Sequence, residues 1–473
     1  MSKPLVIGAS IGECVHVGGV LGFLRLAESM GFQTSFLGPA VPIDRLLEEL
    51  AARRPQIAAL GYRLTPESAE ELFGELAGRL EASGLEGTRF LFGGTPPVAE
   101  KAERTGLFEK VFSGGESREE MIAALTGKGV TAGGMEYPST LVERVESQRP
   151  YPLLRHHLGL ETVESTVREA GRIAESCVLD VLSVAPDQNA QQFFFRPAEM
   201  PARGTGAGGV PVRRPKDLRA IFQATRCGNH PLLRCYAGTQ DLVRWAEMSV
   251  DTIKQAWGAV PLFWYSELDG RSGRLLDEAI EENRKAIRWY AERDIPVEVN
   301  DSHQWSLRNA HDAVAVAAAY IAAYNAKALG VKIYVSQYML NTPPGTAAAM
   351  DIAKMLAKIE LIEGLHDAGF TSFREVRTGL RSMPADMNRA KGHLAASVAF
   401  GAALAPQIVH VVAYCEAMRA AGAEEIIESC RIARGAIDLA LGELPDPPVT
   451  SVWPSAPNGS STRRVVLSPQ YEG

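Results

Sequence analysis

Along the first 128 positions, short apolar runs alternate with longer stretches of helical spacing. Residues 5–7, 34–37, 57–60, 90–92 and 110–112 read as strands of a buried parallel sheet, because they lack a polar-facing alternation. Segments 22–30, 43–53, 67–82 and 117–125 place apolar residues three and four apart, which predicts amphipathic helices. Together they predict a flavodoxin-like doubly wound parallel sheet, whose ligands sit beyond the carboxyl ends of the strands. Glycine-bearing loops fall at those ends: 12–19, Gly61-Tyr62-Arg63-Leu64, Gly93-Gly94-Thr95 and Ser113-Gly114-Gly115. Glycine there lets a planar or phosphate-bearing ligand approach the backbone, and a flavin would satisfy the pattern as well as other ligands of that shape.

The pattern breaks at Gly133-Gly134, Tyr137-Pro138 and Arg149-Pro150, which predicts a linker over 129–151 between a first domain at 1–128 and a second at 152–447. In the second domain strands are expected at 178–185, 232–236, 261–265, 296–300, 332–337, 372–376 and 407–412. Helices are expected at 277–292, 311–329, 347–364 and 424–441. These seven strands predict a (β/α)8 TIM-like barrel with its active site at the strand C-terminal ends. Polar residues crowd those ends: Asp187-Gln188-Asn189, 236–241, 265–271, 300–304, Gln337-Tyr338, Arg374 with Arg377, and Glu416. One such aspartate, Asp187 or Asp301, reads equally well as a turn or helix cap. Polar clusters on so many strand ends point instead to a shared pocket, with Tyr236, Tyr265, Asp269, Arg271, Asp301, His303 and Gln337 as candidate catalytic residues. A Pro- and Ser-rich tail at 448–473 is expected to form a strap or to stay disordered, with Trp453 as its one large anchor.

A length of 473 residues suits two domains, and 46% hydrophobic with 22% charged residues suits a globular chain. The net charge of -7 argues against nucleic acid or an anionic membrane as partner and leaves a small-molecule substrate. No apolar run reaches the ~20 residues that span a bilayer, and no leader with a basic start and apolar core is seen. The six cysteines show no C-x-x-C spacing, so they read as reduced thiols of a cytoplasmic protein.

His16 stands in Gly12-Glu13-Cys14-Val15-His16-Val17-Gly18-Gly19, directly after the first strand, where an imidazole can reach a metal over the sheet. Cys14-x-His16-x-x-Gly19, Tyr62-x-Leu64 and Gly93-Gly94 are similar in placing to D-x-H-x-x-G, S-x-L and G-G of the cobalamin-binding domain of corrinoid enzymes. The stretch most closely resembles the small subunit of glutamate mutase. That resemblance implies His16 as the lower cobalt ligand, with Cys14, Gly19, Tyr62, Leu64, Gly93, Gly94 and Gly115 around the cofactor and its nucleotide tail beside the sheet. Two departures stand out: Cys14 replaces the aspartate that supports the histidine, and Tyr62 replaces the serine beside the tail.

The barrel resembles the large subunit of the same enzyme through Gly238-Thr239-Gln240-Asp241 with Ala246-Glu247, Met383-Pro384-Ala385-Asp386 with Lys391-Gly392, and Val411-Val412 with Glu416-Ala417. The resemblance implies that Glu416 holds the adenosyl ribose, while the family's neighbouring lysine is Ala413. Two of the arginines that grip glutamate correspond to Asn189 and Tyr236, and other substrate contacts to Gly258 and Leu268. Unpaired carboxylates in a closed site are costly, so the expected substrate is smaller in charge than glutamate. The expected activity is therefore an adenosylcobalamin-dependent isomerase, a mutase of a small substrate other than glutamate. The second expectation is a corrinoid-dependent methyltransferase, disfavoured because the first strand begins at Pro4 with no helical cap before it. The third is a non-catalytic cobalamin sensor or carrier. The resemblance also implies a homodimer through the barrel, for which the alanine-rich segment 311–329 is suited.

Overall fold

The computed structural model describes residues 4–80, 83–116, 118–127, 137–201, 205–206, 208–236, 238, 240–270, 272–299 and 301–441, with backbone alone at 29, 118–119 and 301–303. Five parallel strands open the chain: β1 (Leu5–Ser10), β2 (Gln33–Phe36), β3 (Ile57–Tyr62), β4 (Arg89–Gly94) and β5 (Lys110–Phe112). They are ordered β2-β1-β3-β4-β5, the flavodoxin-like arrangement. Five helices accompany them: α1 (Gly18–Ser29), α2 (Ile43–Arg53), α3 (Pro66–Leu80), α4 (Pro96–Thr105) and α5 (Arg118–Thr126).

Successive strand residues go to opposite faces, and both faces are covered. Val6, Ile57, Ala59 and Leu91 meet Val20 and Leu24 of α1 and Leu125 of α5. Ile7, Ala58, Phe90 and Phe92 meet Leu46 of α2, Phe73 of α3 and Val98 of α4. Two apolar faces are why these strands read as unbroken apolar runs. The spacing missed α4, whose Pro96-Pro97 start reads as a breaker although proline fits the first helical turn. At Gly61 a Cβ would lie 2.7 Å from Val20 Cγ2, so α1 rests directly on the sheet backbone there.

Eight further parallel strands build the barrel: β6 (Leu153–Leu158), β7 (Val181–Val184), β8 (Leu232–Cys235), β9 (Gly258–Val260), β10 (Val297–Val299), β11 (Ile333–Leu340), β12 (Thr371–Thr378) and β13 (Ile408–His410). Their order is β8-β7-β6-β13-β12-β11-β10-β9, and a bridge between Tyr236 and Ala259 joins the two ends. The eighth strand, which the apolar pattern does not mark, is β6. Its Arg155-His156-His157 core hides it among polar residues. The strand expected at 261–265 is corrected to β9, three residues earlier. Pro261 has no N–H for a ladder, and the chain turns until Tyr265, at φ 64°.

Within the stretch read as a linker lies α6 (Leu141–Gln148), capped by the Thr140 hydroxyl, which accepts from the Glu143 N–H at 3.3 Å. Its Leu141 and Val145 pack with Leu153, Val181, Trp257, Val335 and Ile408, closing the N-terminal end of the barrel. The buried Arg144 guanidinium ties α6 down by donating to the carbonyls of Asn229 at 3.2 Å and His230 at 3.0 Å. No helix among the described residues is long and apolar enough to cross a membrane.

Candidate functional site

The first domain carries a cleft of 410 Å³ between α1, α5 and the sheet. His16 and Gly19 stand on one side, Ala59, Gly61, Gly93 and Gly94 form the floor, and Ser113, Gly114 and Met121 line the other side. A Cβ built on Gly19 or Gly93 would meet nothing within 4 Å, so both border open space. The loop that bears His16 is pinned from below. Ser10 Oγ lies 3.3 Å from the carbonyls of both His16 and Gly61, and the Ala40 N–H donates to the Cys14 carbonyl at 2.9 Å. His16 is exposed, and its Nδ1 lies 3.7 Å from the buried Cys14 Sγ, which also accepts the Arg63 N–H at 3.3 Å.

Of the residues the resemblance points to, His16, Gly19, Gly93 and Gly94 line this cleft. Tyr62 is buried with Phe73 and Phe92 on the opposite face of the sheet, and Leu64 is exposed. Cys14 lies beneath His16, and Gly115 adjoins Gly114 in the β5 loop. Sequence reasoning did not single out Ala59, Phe112 or Met121, whose role follows only from strand register and the position of α5.

Inside the barrel, one layer above the α6 plug, four charged side chains converge from four strands, Arg155 on β6, Arg234 on β8, Glu298 on β10 and Glu375 on β12. Arg155 Nε donates to Ser183 Oγ at 2.8 Å, and its Nη1 reaches Glu298 Oε2 at 3.4 Å and Glu375 Oε1. Glu298 also accepts from Arg234 Nη2 at 2.7 Å, from Trp257 Nε1 at 2.6 Å and from Gln337 Nε2. Arg155, Arg234, Glu298 and Glu375 are all buried. Burial pushes the Glu298 carboxyl up, but Arg234, Arg155 and the Trp257 N–H more than reverse it and hold it below the usual range. Burial and the charge of Glu298 raise Glu375, against the pull of Arg155.

Two imidazoles sit on this belt. Arg155 Nη2 lies 3.3 Å from His157 Nε2, and His157 Nδ1 lies 3.2 Å from His410 Nε2. An arginine can only donate, so His157 accepts at Nε2, carries its proton on Nδ1 and donates to His410. His410 is then protonated on Nδ1, 3.4 Å from Glu375 Oε1. Burial, followed by Arg155 and Arg234 for His157 and by Arg377 and Arg155 for His410, pushes both well below 6.5, so both are neutral. Their protons are bound more readily in the unfolded chain, so their contribution to stability is full above pH 6.5 and is lost as the pH falls below it. Each costs about 1.4 kcal/mol per pH unit until its folded pKa is reached. The urea midpoint is therefore expected to drop between about pH 7.5 and about pH 5.5, and to drop roughly half as far in His410→Gln. A midpoint flat across that interval would mean that the two imidazoles charge inside the folded barrel.

Above the belt lies the barrel mouth. Tyr236 and Tyr265 meet edge to face with ring centroids 6.0 Å apart, and Tyr265 Oη donates to Gln191 Oε1 at 3.2 Å. Glu416 Oε1 lies 2.9 Å from His156 Nε2, and the Ala413 N–H approaches both, at 3.4 and 3.1 Å. Burial raises the Glu416 carboxyl, and His156 with Arg377 outweigh it, leaving it below the usual range. Asp269 accepts from the Ser266 N–H at 3.2 Å within its own turn. Gln337 sits lower, in the belt. Asp301 and His303 open the helix Asp301–Leu307, where the backbone alone is described. Arg271, Asn300 and the tail with Trp453 lie outside the described residues. The belt residues Arg155, His157, Arg234, Glu298, Glu375 and His410 escaped sequence reasoning. Their signal is a charged residue in the middle of an otherwise apolar strand, as in Val297-Glu298-Val299.

The fold defines an α/β protein: a flavodoxin-like five-stranded parallel sheet bordered by an open cleft, followed by a parallel eight-stranded barrel with a polar lumen. No family model matches the chain. Among solved structures it is similar to a novel cobalamin-binding protein from Desulfitobacterium hafniense DCB-2, with 24% identity, a TM-score of 0.22 and coverage of 23% of this chain. The chain spans about half of that protein (53%), and a likeness of this extent assigns no function.

Proposed function

We propose that the chain is a cobalamin-dependent enzyme, its first domain holding the cofactor and its barrel a small substrate, and that its reaction is an isomerisation of the mutase type. The observation that carries this reading is the cleft beside His16, whose floor and side are left open by Gly93 and Gly19. A slot of 410 Å³ running from an imidazole down the face of a sheet suits the elongated tail of a corrinoid. A single imidazole does not hold a metal by itself, and among the described residues no group of three or more His, Cys, Asp or Glu is arranged to do so. A metal that arrives inside its own macrocycle would need few ligands from the protein, and His16 Nε2 would supply a nitrogen to it.

The support beneath His16 is compatible with that tautomer: a proton on Nδ1, donated to the Cys14 sulfur that also accepts the Arg63 N–H, would leave the Nε2 lone pair free. A thiol is a weaker acceptor than a carboxylate, so His16 would be a weaker axial donor than a histidine backed by aspartate. When bound, cobalamin supplies a weak cobalt–carbon bond. Glu416, ionised and oriented by His156 and the Ala413 N–H, would accept hydrogen bonds from the ribose hydroxyls of an adenosyl group. A methyl ligand has no hydroxyl to offer, which favours isomerisation over methyl transfer. The α6 plug and the paired belt close the barrel from below, so water reaches the mouth from one side.

Electron paramagnetic resonance of anaerobic protein, loaded with adenosylcobalamin and photolysed, tests the reading. Threefold nitrogen splitting is expected in the wild type, becoming twofold in protein labelled with 15N-histidine and disappearing in His16→Ala. Splitting that ignores both the label and the mutation would show the cofactor keeping its own base and remove His16 from the site. Failure of folded wild type to retain any corrinoid would end the proposal.

A further inference from the structure

We propose that the barrel mouth is a receptor for a small carboxylate and that Arg377 is its anchor. The inference rests on reading the barrel as the substrate site, and it is independent of which cofactor the first domain holds. Arg377 is the next-to-last residue of β12, at the C-terminal end where barrels bind their ligands. Along that strand Phe373 belongs to the plug core and Glu375 to the belt, so Arg377 forms the layer above, paired in register with His410.

Arg377 differs from the arginines below it. Arg155 and Arg234 are bound to Glu298, and Arg155 also to Glu375. Among the described residues no acceptor bonds the Arg377 guanidinium, and its buried Nε has no partner at all. The nearest imidazoles, His157 and His410, are neutral, and the carboxylate that faces it, Glu416, is engaged with His156 at 2.9 Å. Burial and the neighbouring Arg155 pull the Arg377 group down to about 10, so it remains charged at neutral pH. A guanidinium that is charged, partly open at the mouth and short of acceptors is suited to a carboxylate, which accepts two of its N–H groups side by side. The Tyr236 and Tyr265 rings, packed edge to face beyond β8 and β9, add aromatic surface at the C-terminal end of the same barrel, which suits a carboxylate with an apolar or hydroxylated body.

The full chain, wild type, Arg377→Gln and Arg377→Lys, is titrated calorimetrically with acetate, butyrate and benzoate, each against its own amide. The wild type is expected to bind at least one acid at least about tenfold more tightly than its amide. Arg377→Gln should erase that preference and Arg377→Lys keep part of it, because lysine retains the charge but loses the fork. Equal binding of acid and amide, a preference that survives Arg377→Gln, or no acid binding by folded wild type would each overturn the proposal. Circular dichroism checks that each variant is folded, and the acid–amide contrast in the wild type stands without any variant. Corrinoid retention is read separately from the absorbance of the bound cofactor. Its loss with acid preference intact would sink the cofactor reading and leave the carboxylate receptor standing.

Discussion

Glu298→Gln is expected to cost the barrel about 3–5 kcal/mol of stability, the range for breaking a buried ion pair from one side. Glu298 is fully buried and accepts from Arg234, Trp257 and Gln337 while also facing Arg155 at 3.4 Å. Glutamine keeps the shape but turns an NH2 toward a ring of donors. Arg155 and Arg234 are then left with the single carboxylate of Glu375, whose own protonation is favoured by burial. The exposed Arg79–Asp44 pair provides the contrast, since water already solvates both groups and its removal should cost less than about 1 kcal/mol. Urea unfolding followed by tryptophan fluorescence makes the measurement selective, because the first domain contains no tryptophan. A shift below about 0.5 kcal/mol for Glu298→Gln would mean that the belt is not a coupled network.

Gly93→Leu is expected to weaken cobalamin binding at least about 100-fold, or about 2.7 kcal/mol, without lowering the melting temperature. The added side chain meets no atom within 4 Å at its Cβ and extends into the cleft, where the proposed tail would lie. The neighbouring glycine serves as a control for folding. At Gly94 a Cβ would lie 2.9 Å from the Tyr62 carbonyl oxygen and 3.0 Å from Phe92 Cε1, so even Gly94→Ala must push on the sheet. Cleft and scaffold thus separate at adjacent positions: Gly93→Leu should move affinity alone, Gly94→Ala stability first. Absorbance titration with hydroxocobalamin and thermal melts by circular dichroism give the two readings. Unchanged affinity in a folded Gly93→Leu protein would exclude the cleft as the cofactor's seat.

The sequence by itself determined the alternation of strands and helices, the flavodoxin-like sheet and the barrel, because strands buried on both faces must be apolar and the glycine loops must follow them. It also placed His16, Gly93 and Gly94 at the carboxyl ends of the first sheet. It did not disclose β6, since Arg155, His156 and His157 make half of that strand polar. Such a strand is permitted only where distant residues neutralise it. The partners of Arg155 are Glu298 and Glu375, 143 and 220 positions away, brought to it by closure of the barrel. Tyr62 and Gly61 illustrate the same limit in the first domain: they are neighbours in the chain, but the pleat sends Tyr62 to one core and leaves Gly61 on the floor of the cleft. Tertiary structure alone decided which polar residues are paired and which, like the Nε of Arg377, are left without a partner among the described residues. That choice depends on what stands across a lumen of low dielectric, where an unpaired charge is costly and a partner must come from another strand.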